Sequence, residues 1–256
     1  MVFRILFLRL LPWLTALSVT GLVVWQWNHE RTYPWPIVLG LALYIGAVSL
    51  MAWRRLSVRD VCEKFGPSTL SLGVFGMSFL LVETPFERWV LSILLVGSLL
   101  LILELLFLLT HDAARYPVNG LSRVNLTLVP IGAFYLMFTL SGLLTFIRIP
   151  WCVAIGMCMT YASLVFFLTC HPMADVSHRR RWFLLGGCVG AHMGILAIVL
   201  PVGMAVQGAI GAFLLSFPLR VRRYAFEPVP SARLAWVEST SAIIGFSCLL
   251  LVSRWA

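Results

Sequence analysis

Charge is scarce in this chain. Charged residues occupy 11% of its 256 positions and hydrophobic residues 61%. A soluble domain carries about 25% charge. A soluble fold this apolar could not cover its surface with polar groups, so lipid is the solvent that suits it. Long polar stretches are lacking as well. The longest loops between apolar runs are Arg54–Pro67 and Pro218–Arg233, which leaves no room for a soluble domain. No G-x-x-x-x-G-K-[ST] and no G-x-G-x-x-G segment occurs, so nucleotide hydrolysis is not expected. The residue alternation of an outer-membrane barrel is missing. No C-x-x-C pair links the six cysteines (Cys62, Cys152, Cys158, Cys170, Cys188 and Cys248), and they read as small packing residues.

What is present is a series of apolar runs, each near the roughly 20 residues that cross about 30 Å of hydrocarbon. They predict an all-α, polytopic transmembrane bundle of about nine spans: Ile5–Trp27, Trp35–Trp53, Ser68–Val82, Trp89–Thr110, Val124–Phe146, Cys152–Cys170, Phe183–Leu200, Val202–Phe217 and Leu234–Ser253. Open strands would leave backbone groups unpaired in lipid, which favours helices. The run Phe183–Phe217 is read as a hairpin broken at Leu200-Pro201-Val202-Gly203. As one helix it would be about 52 Å long, more than a single crossing needs. Residues 1–256 are read as a single integral membrane domain.

The nineteen basic residues are distributed unevenly over these runs. Arg4 and Arg9 stand at the start of the first. Arg54, Arg55, Arg59, Lys64, Arg115, Arg123, Arg179, Arg180, Arg181, Arg220, Arg222, Arg223 and Arg233 fall in the even-numbered loops, while Arg31, Arg88, Arg148 and Arg254 fall on the other side. The positive-inside rule then predicts a cytoplasmic N-terminus, an outside C-terminus and a place in the cell (inner) membrane. Trp27, Trp35, Trp53, Trp89, Trp151, Trp182, Trp236 and Trp255 lie near run ends, where indole rings favour the interface. The first run is longer than a cleavable signal needs and is expected to remain as an anchor. The net charge of +9 is explained by topology and anionic lipid, so no nucleic-acid partner is expected.

Ionisable and polar groups inside the runs are the candidate sites. Glu104, in Leu101-Ile102-Leu103-Glu104-Leu105-Leu106-Phe107, has no polar sequence neighbour. It must be protonated or face a partner on another helix. Glu238 opens Glu238-Ser239-Thr240-Ser241 early in the last run, His192 lies in the seventh and Gln207 in the eighth. Gly186, Gly190 and Gly194, spaced by four, make a stripe that lets another helix approach closely. His192 lies off that stripe and reads as an interhelical hydrogen-bonding group. Arg179, Arg180, Arg181, Arg220, Arg222 and Arg223 are expected at lipid head groups.

His171, Asp175 and His178 would share a helix face and are weak metal candidates, interrupted by Pro172. No cofactor is expected. Ala191-His192 beside glycines, with Gly76-Met77-Ser78 upstream, superficially resembles the rhomboid intramembrane proteases. That resemblance would imply a serine–histidine pair, but it spans a few residues and departs from the family's glycine spacing.

Three functional expectations follow. The first is a non-catalytic subunit or accessory protein acting through helix packing and lipid contact, with other membrane subunits as partners; it requires the Gly186–Gly194 stripe to face lipid or a partner rather than the protein's own interior. The second is a small-solute or lipid transporter using Glu104 and Glu238–Ser241. The third is an enzyme on a lipid phosphate using His111, Asp112, His171, Asp175 and the arginines.

Overall fold

A computed structural model describes residues 2–79, 81–82, 84–117, 120–169 and 176–226, together with Trp236, Val237, Thr240, Ile243, Ile244 and Ser247. Among the described residues eight α-helices are delimited: α1 (Val2–Asn28), α2 (Trp35–Ala52), α3 (Val58–Ser78), α4 (Pro85–His111), α5 (Gly120–Gly142), α6 (Trp151–Leu168), α7 (Val176–Val199) and α8 (Met204–Phe226). A π-helical turn, Leu143–Ile147, extends α5. No strand forms among the described residues. Among the described residues six helices are long and apolar enough to cross a bilayer: α1, α2, α4, α5 with its π turn, α6 and α7. The apolar part of α8, Met204–Arg220, is shorter. The expected ninth span, Leu234–Ser253, lies almost wholly outside the described residues.

The chain divides into two compact units, Met1–Leu128 and Val129–Ala256. In the first, α1 packs on α2 and α4, and α3 on α2 and α4. Buried residues of α1 (Leu8, Pro12, Thr15 with Ala16, Val19, Val23 and Gln26) recur every three or four positions and form its inner face. Exposed Leu6, Phe7, Trp13, Leu17 and Val24 cover its outer face, a pattern that lipid rather than water accepts. In the second unit α6 and α7 make the most extensive contact, and α7 also packs on α8.

Helix starts follow local chemistry. Thr84 caps α4, its hydroxyl accepting from the Glu87 N–H at 3.3 Å, and Pro85 fills the first turn, where no N–H is needed. α3 departs from expectation, because the loop foreseen over Arg54–Pro67 is helical from Val58. The reason is a capping box. The Ser57 hydroxyl accepts from the Asp60 N–H at 3.1 Å, and the Asp60 carboxylate accepts from the Ser57 N–H. Pro67 therefore sits inside a helix rather than before one. The turn between α2 and α3 passes through Arg54 at φ 62°, a left-handed conformation that no glycine marks in the sequence.

The break between α7 and α8 falls at residues 200–203, where proline and glycine stand. α7 begins at Val176 and α8 continues to Phe226, so both extend beyond the apolar run into the arginine clusters.

Candidate functional site

Glu104 meets a partner from another helix. It lies seven residues from the C-terminal end of α4, and Arg9 lies seven residues from the N-terminal end of α1. At 1.5 Å per residue each is about 10 Å in from its helix end. The two helices pack together, and Arg9 Nη1 donates to Glu104 Oε2 at 2.7 Å. The guanidinium also stands over the Phe107 ring, 5.0 Å from its centroid, a cation–π contact one turn along α4. The Arg9 side chain is 50% exposed and that of Glu104 22%. Glu104 Oε1 is buried and has no hydrogen-bond partner. The pair solves the problem of isolated charge in lipid, because each group supplies the other's counterion. In the sequence Arg9 reads only as a topology signal; the packing of α1 on α4 is what pairs it with Glu104.

The other polar candidates are drawn into local structure. The Gln207 side chain, 5% exposed, donates through Nε2 to the carbonyl of Leu200 at 2.9 Å and, more weakly, to that of Val202 at 3.4 Å. It thereby ties α8 to the end of α7, where helix carbonyls lack intrahelical donors. His192 is exposed, and its Nδ1 makes a 2.7 Å hydrogen bond with the carbonyl of Cys188 on its own helix. The expected interhelical bond is thus replaced by an intrahelical one.

The stripe of Gly186, Gly190 and Gly194 faces α6. A Cβ on Gly186 would come within 2.7 Å of the Ala162 carbonyl, one on Gly190 within 2.6 Å of Met159 Cα, and one on Gly194 within 2.6 Å of Ile155 Cα. This overturns the use of the stripe as a surface for a second chain, since α6 of the same protein already covers it.

At the start of α7, Arg179 is buried whereas Arg180 and Arg181 are exposed, as is Arg220 on α8. Burial of Arg179 departs from the head-group role expected for it. The side chains of Arg222 and Arg223 lie outside the described residues. His178 accepts at Nε2 from Trp182 Nε1 at 2.6 Å, which engages one of its two ring nitrogens. His171, Asp175 and Glu238 lie outside the described residues. Among the described residues no group of three His, Cys, Asp or Glu side chains converges as a metal site would. His111 Nδ1 bonds Thr110 Oγ1 at 2.6 Å, and Asp112 pairs with Arg115 at 3.4 Å.

Two groups escaped notice in the sequence. Asn125 is buried and donates through Nδ2 to the Lys64 carbonyl at 2.7 Å. Tyr44 and Thr69 bring their hydroxyls to 3.5 Å from one another between α2 and α3. A single hydroxyl or amide within an apolar run carries no periodic signal of its own, so neither group could be singled out without the helix pairing.

No protein-family model, curated protein or solved structure matches this chain.

Proposed function

We propose that this protein is a non-catalytic subunit or accessory protein of the cell membrane, acting through helix packing and lipid contact. In this reading residues 1–256 form one integral membrane domain of nine spans, with the N-terminus cytoplasmic and the C-terminus outside. One observation carries the reading: the polar side chains within the spans brace helices. Arg9 and Glu104 join α1 to α4, Gln207 closes the α7–α8 turn, and His192 bonds its own helix. Exposed Arg180, Arg181 and Arg220 are suited to anionic lipid phosphates at the inner leaflet. The glycine stripe being covered by α6, other membrane subunits would dock on outward faces such as Leu184, Cys188, Ile195 and Ile198 of α7. Purification in mild detergent followed by mass spectrometry tests this. A stoichiometric second membrane protein is the expected outcome, and a chain that is consistently isolated alone with lipid overturns the reading.

A second reading, a transporter of a small solute or lipid, draws on the buried and unpartnered Oε1 of Glu104, which has acceptor capacity to spare for a donor or proton. In proteoliposomes it requires Glu104→Gln to abolish solute flux. Flux equal to that of the wild type eliminates it.

A further inference from the structure

The turn between α7 and α8 differs from those that the proposed sidedness places on its side of the membrane. They carry Arg31, Arg88 and Arg148, whereas no charged residue stands between Arg181 and Arg220. The tip of the turn is apolar and open. Ile198 and Val199 are 42% and 67% exposed, and Pro201, Gly203 and Ala205 are exposed as well. Water disfavours such a surface and hydrocarbon accepts it. Length sets its depth. From Arg181 to Val199 α7 rises about 27 Å, and from Met204 to Arg220 α8 rises about 24 Å, at 1.5 Å per residue. The hydrocarbon layer is about 30 Å thick, and tilt shortens the reach of a helix across it. With the arginines of both helices at the inner head groups, the two arms end short of the outer aqueous phase. α4, about 40 Å long, has no such shortfall.

Backbone at that depth cannot rely on water for its hydrogen bonds. Pro201 brings no N–H, and the Val202 N–H donates to the Leu200 carbonyl at 2.9 Å. The Gly203 carbonyl accepts from the N–H groups of Val206 and Gln207 at 3.0 and 3.1 Å. Carbonyls at the end of a helix need a donor from elsewhere. Gln207 Nε2 supplies it to Leu200 at 2.9 Å and, more weakly, to Val202 at 3.4 Å. Gln207 is 5% exposed, so a protein amide does here, away from solvent, what water does at an aqueous turn.

We infer that the α7–α8 turn is seated in the outer leaflet at the level of the lipid ester groups, in contact with lipid rather than water, and that Gln207 holds it there. Lipid esters offer carbonyl oxygens, which accept hydrogen bonds and cannot donate them. The donor missing at that level is the one Gln207 provides. Arginines of α7 and α8 together at the inner face, the sidedness proposed above on which this inference rests, make the turn the outermost point of the pair.

The test uses the full-length protein in phosphatidylcholine vesicles, with one cysteine on a cysteine-free background carrying a nitrobenzoxadiazole fluorophore. The label stands at Gly203 or, for reference, at Arg31. A Cβ on Gly203 meets nothing within 4 Å, so Gly203→Cys fits. At Gly203 the emission is blue-shifted from that at Arg31, and aqueous iodide quenches it about fivefold less. Nitroxides placed near the lipid ester quench it more than nitroxides near the chain ends. Gln207→Leu removes the donor at similar volume and raises iodide quenching at Gly203 about threefold, as the freed carbonyls turn to water. Iodide quenching at Gly203 equal to that at Arg31 puts the turn in water and overturns the inference. Strongest quenching by chain-end nitroxides puts residue 203 at the bilayer centre and overturns the hairpin as well. Unchanged iodide quenching in Gln207→Leu removes Gln207 from the role.

Discussion

At Glu104 a charge in lipid is met by a second charge at the same depth. The sequence shows that Glu104 must be protonated or paired, and the packing of α1 on α4 supplies Arg9 at 2.7 Å. Removing one member leaves the other uncompensated. Glu104→Gln is expected to lower stability by about 1–3 kcal/mol. Adding Arg9→Gln should recover most of that loss, since an apolar surrounding tolerates a neutral pair better than a lone charge. Unfolding of both single variants and the double variant in detergent measures the coupling, and additive losses would exclude it.

Asp60 offers a pH test outside the spans. Its hydrogen bonds with Ser57, side chain first and backbone second, hold its carboxyl below the ordinary value of 3.8. A depressed carboxyl pKa stabilises the fold above the unfolded value, and the benefit is lost as pH falls through the folded value. Protection of the first turn of α3 against amide exchange should therefore fall below about pH 4. Ser57→Ala should move the Asp60 titration upward in a side-chain NMR measurement. An unmoved titration would mean that the box does not hold the carboxylate.

The elements themselves were largely readable. Apolar runs located α1, α2, α4, α5 and α6 to within a few residues, and Pro201 with Gly203 marked the α7–α8 break, but α7 begins seven residues before its run and α8 ends nine residues after its own. α3 begins ten residues before its apolar run, because charge at Arg59, Asp60, Glu63 and Lys64 reads as loop when hydropathy alone is followed. The Ser57-x-x-Asp60 spacing, a weaker signal, was the one that mattered. The glycine stripe on α7 was also visible, but a stripe does not name the helix that covers it.

Close approach of the α6 backbone makes a definite prediction. Gly190→Ala places a methyl group 2.6 Å from Met159 Cα, where backbone must shift, and should cost about 1–3 kcal/mol. Gly97→Ala on α4 meets nothing within 4 Å and should be neutral, or stabilising by up to about 1 kcal/mol. Thermal unfolding of the two variants side by side decides it, and equal effects would remove the packing argument.

For the whole molecule, the proposed sidedness rests on arginine placement. On a cysteine-free background, single cysteines at Arg31, Arg180 and Arg220 should divide. A membrane-impermeant thiol reagent applied from outside labels the first and spares the other two. Labelling of positions 180 and 220 from opposite faces would reduce the α7–α8 hairpin to one crossing and shift every later segment.

Composition alone pointed to a membrane-embedded protein, because a chain 61% hydrophobic has too little polar surface to face water, and the six apolar helices agree with it. It also determined where helices run, since backbone groups in hydrocarbon must pair within their own segment. Tertiary structure decided which side chains meet. Arg9 with Glu104, the Asn125 amide on the Lys64 carbonyl, and the glycines of α7 on α6 all join residues far apart along the chain. Hydropathy is a property of single segments, whereas these contacts depend on which helix lies beside which, at what depth and in what rotation.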